Sequence, residues 1–197
     1  MHLSILYKIL NITSLLLLVL ATTPIKAQEI QNFSLTDVTE KKAVSLNQYS
    51  SIKGVVIIFT SNSCPFDQYY IKRIKNLSET FKGRIQFLLV NSHPETEESE
   101  EAMSRYSHEQ NLMIPYLADK KQQVLSQFNA RKSPEVFLLK NTTGKFTVVY
   151  HGMIDNNAQS ESDVTEYYLK DAMDELLAGD KIEVVETRPV GCSIRKN

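Results

Sequence analysis

Cysteine is scarce in this sequence: two in 197 residues, far fewer than in the small secreted scaffolds that rely on bridges in place of a core. Net charge is nearly absent as well. The 22 Lys and Arg almost offset 23 Asp and Glu, leaving −1, and no basic stretch interleaved with aromatics offers a footprint for nucleic acid. There is no internal repeat and no low-complexity tract. The most apolar stretch, Ile9 to Ala21, is interrupted by Asn11, Thr13 and Ser14 and falls short of the ~20 residues that span a bilayer. A carboxylate-rich run, Glu95, Glu97, Glu98, Glu100 and Glu101, lacks the loop glycine and ligand spacing of a calcium site. It reads as a solvated helix face with acidic residues in its first turn.

What is present begins with a leader. Lys8 precedes the apolar stretch, and Pro24-Ile25-Lys26-Ala27 gives way to the polar Gln28-Glu29. That order predicts a secretory signal peptide over 1–27, cleaved after Ala27, with an uncleaved anchor as the alternative. An extracytoplasmic location, periplasmic or secreted, follows. No cysteine lies near the cleavage point, so a bacterial lipid anchor is not indicated. The remaining ~170 residues are enough for one well-buried domain, expected over 28–181, with a tail over 182–197.

The stretch from Gly54 to Asp67 organises the domain. Val55-Val56-Ile57-Ile58-Phe59 is an unbroken, mostly β-branched apolar run, the pattern of a strand buried on both faces. After a polar turn, Thr60 to Ser63, Cys64 and Pro65 open a segment to Lys82. Its Tyr70, Ile71, Ile74, Leu77, Ser78 and Phe81 recur at helical spacing. Proline suits the first turn of a helix, so Cys64 is expected at the N-terminus, where unpaired N–H groups and the helix dipole favour a thiolate. An inert, buried cysteine after a core strand is the plainer reading of position alone.

Phe59-Thr60-Ser61-Asn62-Ser63-Cys64-Pro65 resembles the approach to the active cysteine in the thioredoxin-like superfamily. The redoxin branch, with the alkyl hydroperoxide reductase/thiol-specific antioxidant proteins and the extracytoplasmic thiol-disulfide oxidoreductases, is the nearest resemblance. Phe33-Ser34-Leu35-Thr36-Asp37, a turn, and Val44-Ser45-Leu46 with Tyr49 resemble the hairpin that leads into redoxins. Phe128-Asn129-Ala130-Arg131-Lys132-Ser133-Pro134, before the apolar Val136–Leu139, resembles the loop that carries the superfamily's cis-proline beside the active cysteine. The resemblance runs from about Phe33 to Gly179. It implies an α/β, thioredoxin-like fold: a central mixed β-sheet flanked by helices, with an N-terminal β extension. It also implies that Pro134 is cis and that Ser133, Pro134 and Arg131 border the substrate site.

Further elements expected from the residues are a strand over Ile85–Val90 and a short helix over Gln122–Phe128. A hairpin should turn at Asn141–Gly144, a helix should cover Val164–Ala178 with Gly179 as its cap, and Ile182–Val185 should form an edge strand. His93 ends the second core strand, near enough to assist proton transfer if the loop folds toward Cys64; an incidental loop histidine is the alternative. His108 and His151 have no assigned role.

Two departures bear on chemistry. Asp67 stands three residues after Cys64, where thioredoxins carry a second cysteine, so a plain Cys-x-x-Cys mechanism is excluded and a carboxylate opposes a very low thiol pKa. Ser61 supplies the hydroxyl that peroxiredoxins place three before their cysteine, but Ile57 replaces their proline. Arg131 is the candidate for the arginine that holds their thiolate only if its loop turns it inward. The tail Pro189-Val190-Gly191-Cys192 resembles that of redoxin-domain proteins with a cysteine near the C-terminus, and the resemblance makes Cys192 the resolving partner of Cys64; an unpaired or merely structural cysteine is the alternative. The expected function is an exported thiol-dependent oxidoreductase or antioxidant peroxidase needing neither metal nor organic cofactor. Its partners would be an external thiol or thioredoxin-type donor and a disulfide-bearing protein or small peroxide. A non-enzymatic thioredoxin-like binding module with a permanent Cys64–Cys192 bond is the reading from another class.

Overall fold

The computed structural model describes residues 28–197, so the expected signal segment lies outside them. The run from Gly54 to Phe59 becomes strand β4, buried at every position, because its β-branched side chains pack on both faces of a pleated layer. On one side β4 pairs in parallel with β5 (Ile85–Asn91), and on the other antiparallel with β8 (Glu135–Thr142). The connection from β4 to β5 is helix α1 (Pro65–Thr80), which makes the crossover that a parallel pair requires.

Around this centre lie β1 (Glu29–Ile30), β2 (Ser34–Asp37), β3 (Lys42–Ser45), β6 (Tyr116–Ala118) and β9 (Lys145–Gly152). The eight strands run in the order β1-β9-β8-β4-β5-β6-β2-β3. The remaining helices are α2 (Glu100–Glu109), α3 (Gln123–Phe128) and α4 (Tyr168–Ala178). Alternation along β4 divides the core into two layers. Val56 and Ile58 join Tyr70 and Ile74 of α1, Met103 of α2 and Leu169 and Met173 of α4 on one face. Val55, Ile57 and Phe59 join Val124, Leu125 and Phe128 of α3 on the other. This is the mixed sheet between helices that the resemblance implied, and the N-terminal hairpin extends it at the β6 edge.

Local expectations hold closely where one strong cause acts. Thr143 and Gly144, with φ of 52° and 86°, make the tight hairpin turn, a left-handed pair whose twist matches the strands it joins. Gly179 caps α4 at φ 85°. Helix α4 starts later than expected, at Tyr168, because Val164 is extended and the segment before it is a short 3-10 turn, Glu161–Asp163. The loop between β9 and this helix is pinned instead to α1: Arg73 reaches Asp155 at 2.5 Å and the carbonyls of Asn157 and Ala158, with the Tyr70 hydroxyl on the same carboxylate at 2.9 Å.

Ile182–Val185 is not a strand. Only single hydrogen bonds tie the chain to β9 there, from the His151 N–H to the Val185 carbonyl and from the Thr187 N–H to the His151 carbonyl. Ile182 turns into the core, but Val184 and Val185 are both exposed, so the segment lacks the inward–outward alternation of a strand. Among the described residues no helix is long and apolar enough to cross a membrane.

Candidate active site

Cys64 is the N-cap of α1, in extended conformation, with Pro65 following as the first helical residue. The chain leaves β4 through Thr60–Ser63, a turn with more donors than its own backbone can satisfy, and Glu98 supplies the acceptors. One Glu98 carboxylate oxygen receives the Ser61 hydroxyl (2.6 Å), the Ser63 hydroxyl (2.7 Å) and the Ser63 N–H (3.1 Å). The other receives the Asn62 N–H (2.9 Å) and the Asn91 amide (2.7 Å). Burial pushes Glu98 up, but these bonds outweigh it and hold the carboxyl below its ordinary range. Ser61 Oγ in turn accepts the Cys64 N–H at 3.1 Å. Ser61 therefore fixes the backbone of Cys64.

Asp67, in the first turn of α1, is 1% exposed and takes the Thr60 hydroxyl at 2.7 Å, while its second oxygen makes no hydrogen bond. Burial drives its pKa well up, against the opposing pull of the Thr60 and Ser133 hydroxyls. A raised carboxyl favours the folded state below the ordinary carboxylate range, and that stability is lost as pH rises through the folded value. Asp67→Asn, which keeps an acceptor for Thr60, is expected to raise the melting temperature near pH 8 and to change it little near pH 4; thermal melts at both pH values check this.

Across from Cys64 lies the loop of β7 (Lys132–Ser133), followed by Pro134, whose peptide bond with Ser133 is cis. The buried Glu135 shapes it, accepting the Arg131 and Lys132 N–H groups at 2.7 Å each on one oxygen and meeting His151 Nε2 at 2.6 Å with the other. Cys64 Sγ lies 3.3 Å from the Ser133 carbonyl oxygen. The Ser133 hydroxyl shares a 3.0 Å hydrogen bond with His93 Nε2. Burial lowers the His93 pKa against the pull of Glu98 and Glu95, so its ring is neutral near pH 7. The Arg131 side chain is exposed, and the site uses its backbone.

Cys192 closes the arrangement. It lies in β10 (Cys192–Ser193), which pairs antiparallel with β7 so that Cys192 faces Ser133. It is disulfide-bonded to Cys64 across 128 residues of sequence, with the Cα atoms 6.0 Å apart. Cys64 is 4% exposed, and Cys192 is partly exposed.

The structure thus gathers Cys64, Ser61, Ser133, Pro134 and Cys192 in one place and leaves the Arg131 side chain outside. Sequence reasoning missed two anchoring carboxylates. Glu97, Glu100 and Glu101 are exposed as the charge run suggests, but Glu98 is 1% exposed. Its one signal in the sequence is the row of donors, Ser61-Asn62-Ser63, that needs such a partner. Glu135 and His151 carried no signal beyond lying in a strand pair. Among the described residues no cluster of His, Cys, Asp and Glu could hold a metal ion.

Solved structures share this architecture. An uncharacterized conserved protein from Geobacillus kaustophilus superposes with a TM-score of 0.80 at 26% identity, over 90% of this chain and 94% of its own. A hypothetical protein from Sinorhizobium meliloti 1021 gives 0.79 at 23% identity, over 89% and 97%. A putative thiol-disulfide oxidoreductase from Bacteroides vulgatus gives 0.58 at 19% identity, over 81% and 92%. No curated protein matches. The sequence family agrees with a cysteine poised between a core strand and a helix: residues 27–155, from before β1 to the loop after β9, match the AhpC/TSA family, and the chain belongs to it.

Proposed function

We propose that this protein is an exported thiol-disulfide oxidoreductase with Cys64 as nucleophile and Cys192 as resolving cysteine. One observation carries the reading: two cysteines distant in sequence are joined at the N-terminus of α1, beside the Ser133–Pro134 loop. Family membership supports thiol-dependent redox chemistry. Export rests on the leader sequence.

In the oxidised protein the more exposed of the two cysteines is Cys192. A donor thiolate attacks Cys192 Sγ, the protein S–S bond breaks, and Cys64 leaves as a thiolate at the positive end of α1. A second donor thiol then takes the donor–Cys192 bond, so that a two-electron oxidation of the donor leaves both protein cysteines reduced. The Cys64 thiolate next attacks a substrate disulfide, expels one substrate thiolate and holds the other half as a mixed disulfide. Cys192 attacks Cys64 Sγ, releases the second substrate thiol and restores the bond shown here.

Peroxide reduction fits less well. The Ser61 hydroxyl is committed to Glu98 and to the Cys64 N–H, and Arg131 points to solvent, so neither group is placed to polarise a peroxide. Reduced protein offered a disulfide-bearing protein or hydrogen peroxide separates the two activities. Exchange at least about 10-fold faster than a free thiol, with a trapped mixed disulfide in Cys192→Ser and an ordinary peroxide rate, is the expected result. Fast peroxide consumption with ordinary exchange would replace this reading by a two-cysteine peroxidase, and ordinary rates in both would leave the binding module.

A further inference from the structure

The tail is seated on the site as a peptide strand. β10 pairs with β7 in antiparallel register, Cys192 opposite Ser133 and Ser193 opposite Lys132, and the Ile194 N–H donates to the Arg131 carbonyl at 2.9 Å. Side chains then alternate as a strand demands. Cys192 points to Cys64, and Ser193 is exposed with its hydroxyl at 3.0 Å from Lys132 Nζ. Ile194, only 7% exposed, joins the apolar cluster that contains Phe59, Phe128 and Ala130.

Before the cysteine the fit is tighter still. A Cβ on Gly191 would lie 2.1 Å from the Ser133 carbonyl oxygen and 3.0 Å from the Pro134 nitrogen. Both are backbone atoms that cannot swing aside, so only glycine passes. Upstream, the tail is fastened independently. The Thr187 N–H and hydroxyl bond the His151 carbonyl, the Met153 N–H and the Tyr150 hydroxyl, over Gly152 at φ 145°. Beyond the groove the Arg195 carbonyl accepts from the Gln122 amide at 2.7 Å, and the Asn197 N–H and side-chain amide donate to the Gln122 side chain and the Lys120 carbonyl; departure of the segment from Gly191 onward breaks these bonds while Thr187 stays put.

We propose that residues 191–194 are a tethered pseudo-substrate, and that the groove along Arg131–Ser133 selects extended peptides with glycine just before the target cysteine and an aliphatic residue two after it. The inference rests on the exchange activity proposed above and names its substrate class. It also gives resolution a second component. When Cys192 attacks Cys64 Sγ, the tail strand takes the hydrogen-bonding edge that the substrate strand held, so bond exchange and strand replacement expel the product together. In the oxidised protein the groove is filled by the chain's own tail and closed to other peptides.

The test uses full-length mature Cys192→Ser protein and peptides of sequence Pro-Val-Gly-Cys-Ser-Ile-Arg-Lys whose cysteine carries 2-nitro-5-thiobenzoate. Cys64 thiolate attacks the peptide sulfur, the new S–S bond forms, and the coloured aryl thiolate leaves with the electron pair. The unsubstituted peptide is expected to react at least about 10-fold faster than versions with alanine for the glycine or aspartate for the isoleucine, whereas the symmetrical aryl disulfide reports the intrinsic reactivity of Cys64. Equal peptide rates beside a fast aryl disulfide would overturn the selection rule and leave the exchange activity standing. A slow aryl disulfide, no faster than with a free thiol, would overturn both.

Discussion

Cys64→Ser is expected to abolish disulfide exchange, and Cys192→Ser to stop it halfway. A serine hydroxyl at the head of α1 cannot ionise near neutral pH, so no nucleophile remains and turnover should fall by at least about 10³-fold. With Cys192→Ser the first attack survives, because Cys64, its N-cap position and the Glu98-held turn are untouched. The mixed disulfide should then accumulate and be visible as an intact-mass adduct. A variant Cys64→Ser that still exchanged would move the nucleophile to Cys192. Cys192→Ser should also cost stability, since the bond closes a chain segment of 128 residues. Bridges of this kind contribute about 2–5 kcal/mol, or a melting temperature lower by roughly 5–15 °C for a domain of this size. That leaves the folded state populated if the domain has the ordinary reserve of about 5–15 kcal/mol.

Glu98→Ala is expected to be the most damaging substitution that leaves both cysteines in place. The carboxylate receives five donors, two of them backbone N–H groups: that of Asn62, and that of Ser63, which it shares with Ser61 Oγ at 3.1 Å. Each donor stranded in a buried site costs about 1–3 kcal/mol, and water entering the vacated space offsets part of this, so a net loss of about 3 kcal/mol is expected. The turn also sets the angle at which Cys64 enters α1. A shift of about 1 Å there should slow exchange by about 100-fold. Glu98→Gln should fall between, because the amide keeps one acceptor oxygen while the N–H on the other side, from Asn62 or Ser63, meets an NH2 group and cannot rotate away. The sign with pH follows from the lowered carboxyl: its stabilisation is present above the ordinary carboxylate range and is lost as pH falls through the folded value. Melting curves and exchange rates of the two variants check both effects, and equal losses for Gln and Ala would contradict the donor argument.

The parts of this molecule that were legible in its sequence share a simple cause. β4 was readable because five apolar residues in a row can only be buried on both faces, and the head of α1 because Pro65 tolerates few other positions. The turn at Gly144 and the Gly179 cap followed from backbone conformations that glycine adopts most cheaply. What failed was set by partners distant in the chain. Glu98 looked like its neighbours Glu97 and Glu100 and became a buried anchor only because Ser61–Ser63 lie against it in space. Val184 and Val185 had strand propensity, but the chain there meets β9 only at His151, through its bonds to Val185 and Thr187. For the tail, sequence gave the second cysteine but not the strand register, which depends on the missing side chain of Gly191.

The most direct test of the central claim, that Cys64 and Cys192 form a redox pair rather than a staple, is a redox titration of the folded protein. Dithiothreitol would be raised stepwise, free thiols counted by alkylation and mass spectrometry, and the fold followed in the same samples by near-ultraviolet circular dichroism. Both cysteines should become alkylatable while the tertiary signal persists, and the bond should re-form when oxidised dithiothreitol is restored. Thiols that appear only as the tertiary signal collapses would show a permanent structural bond and contradict the account.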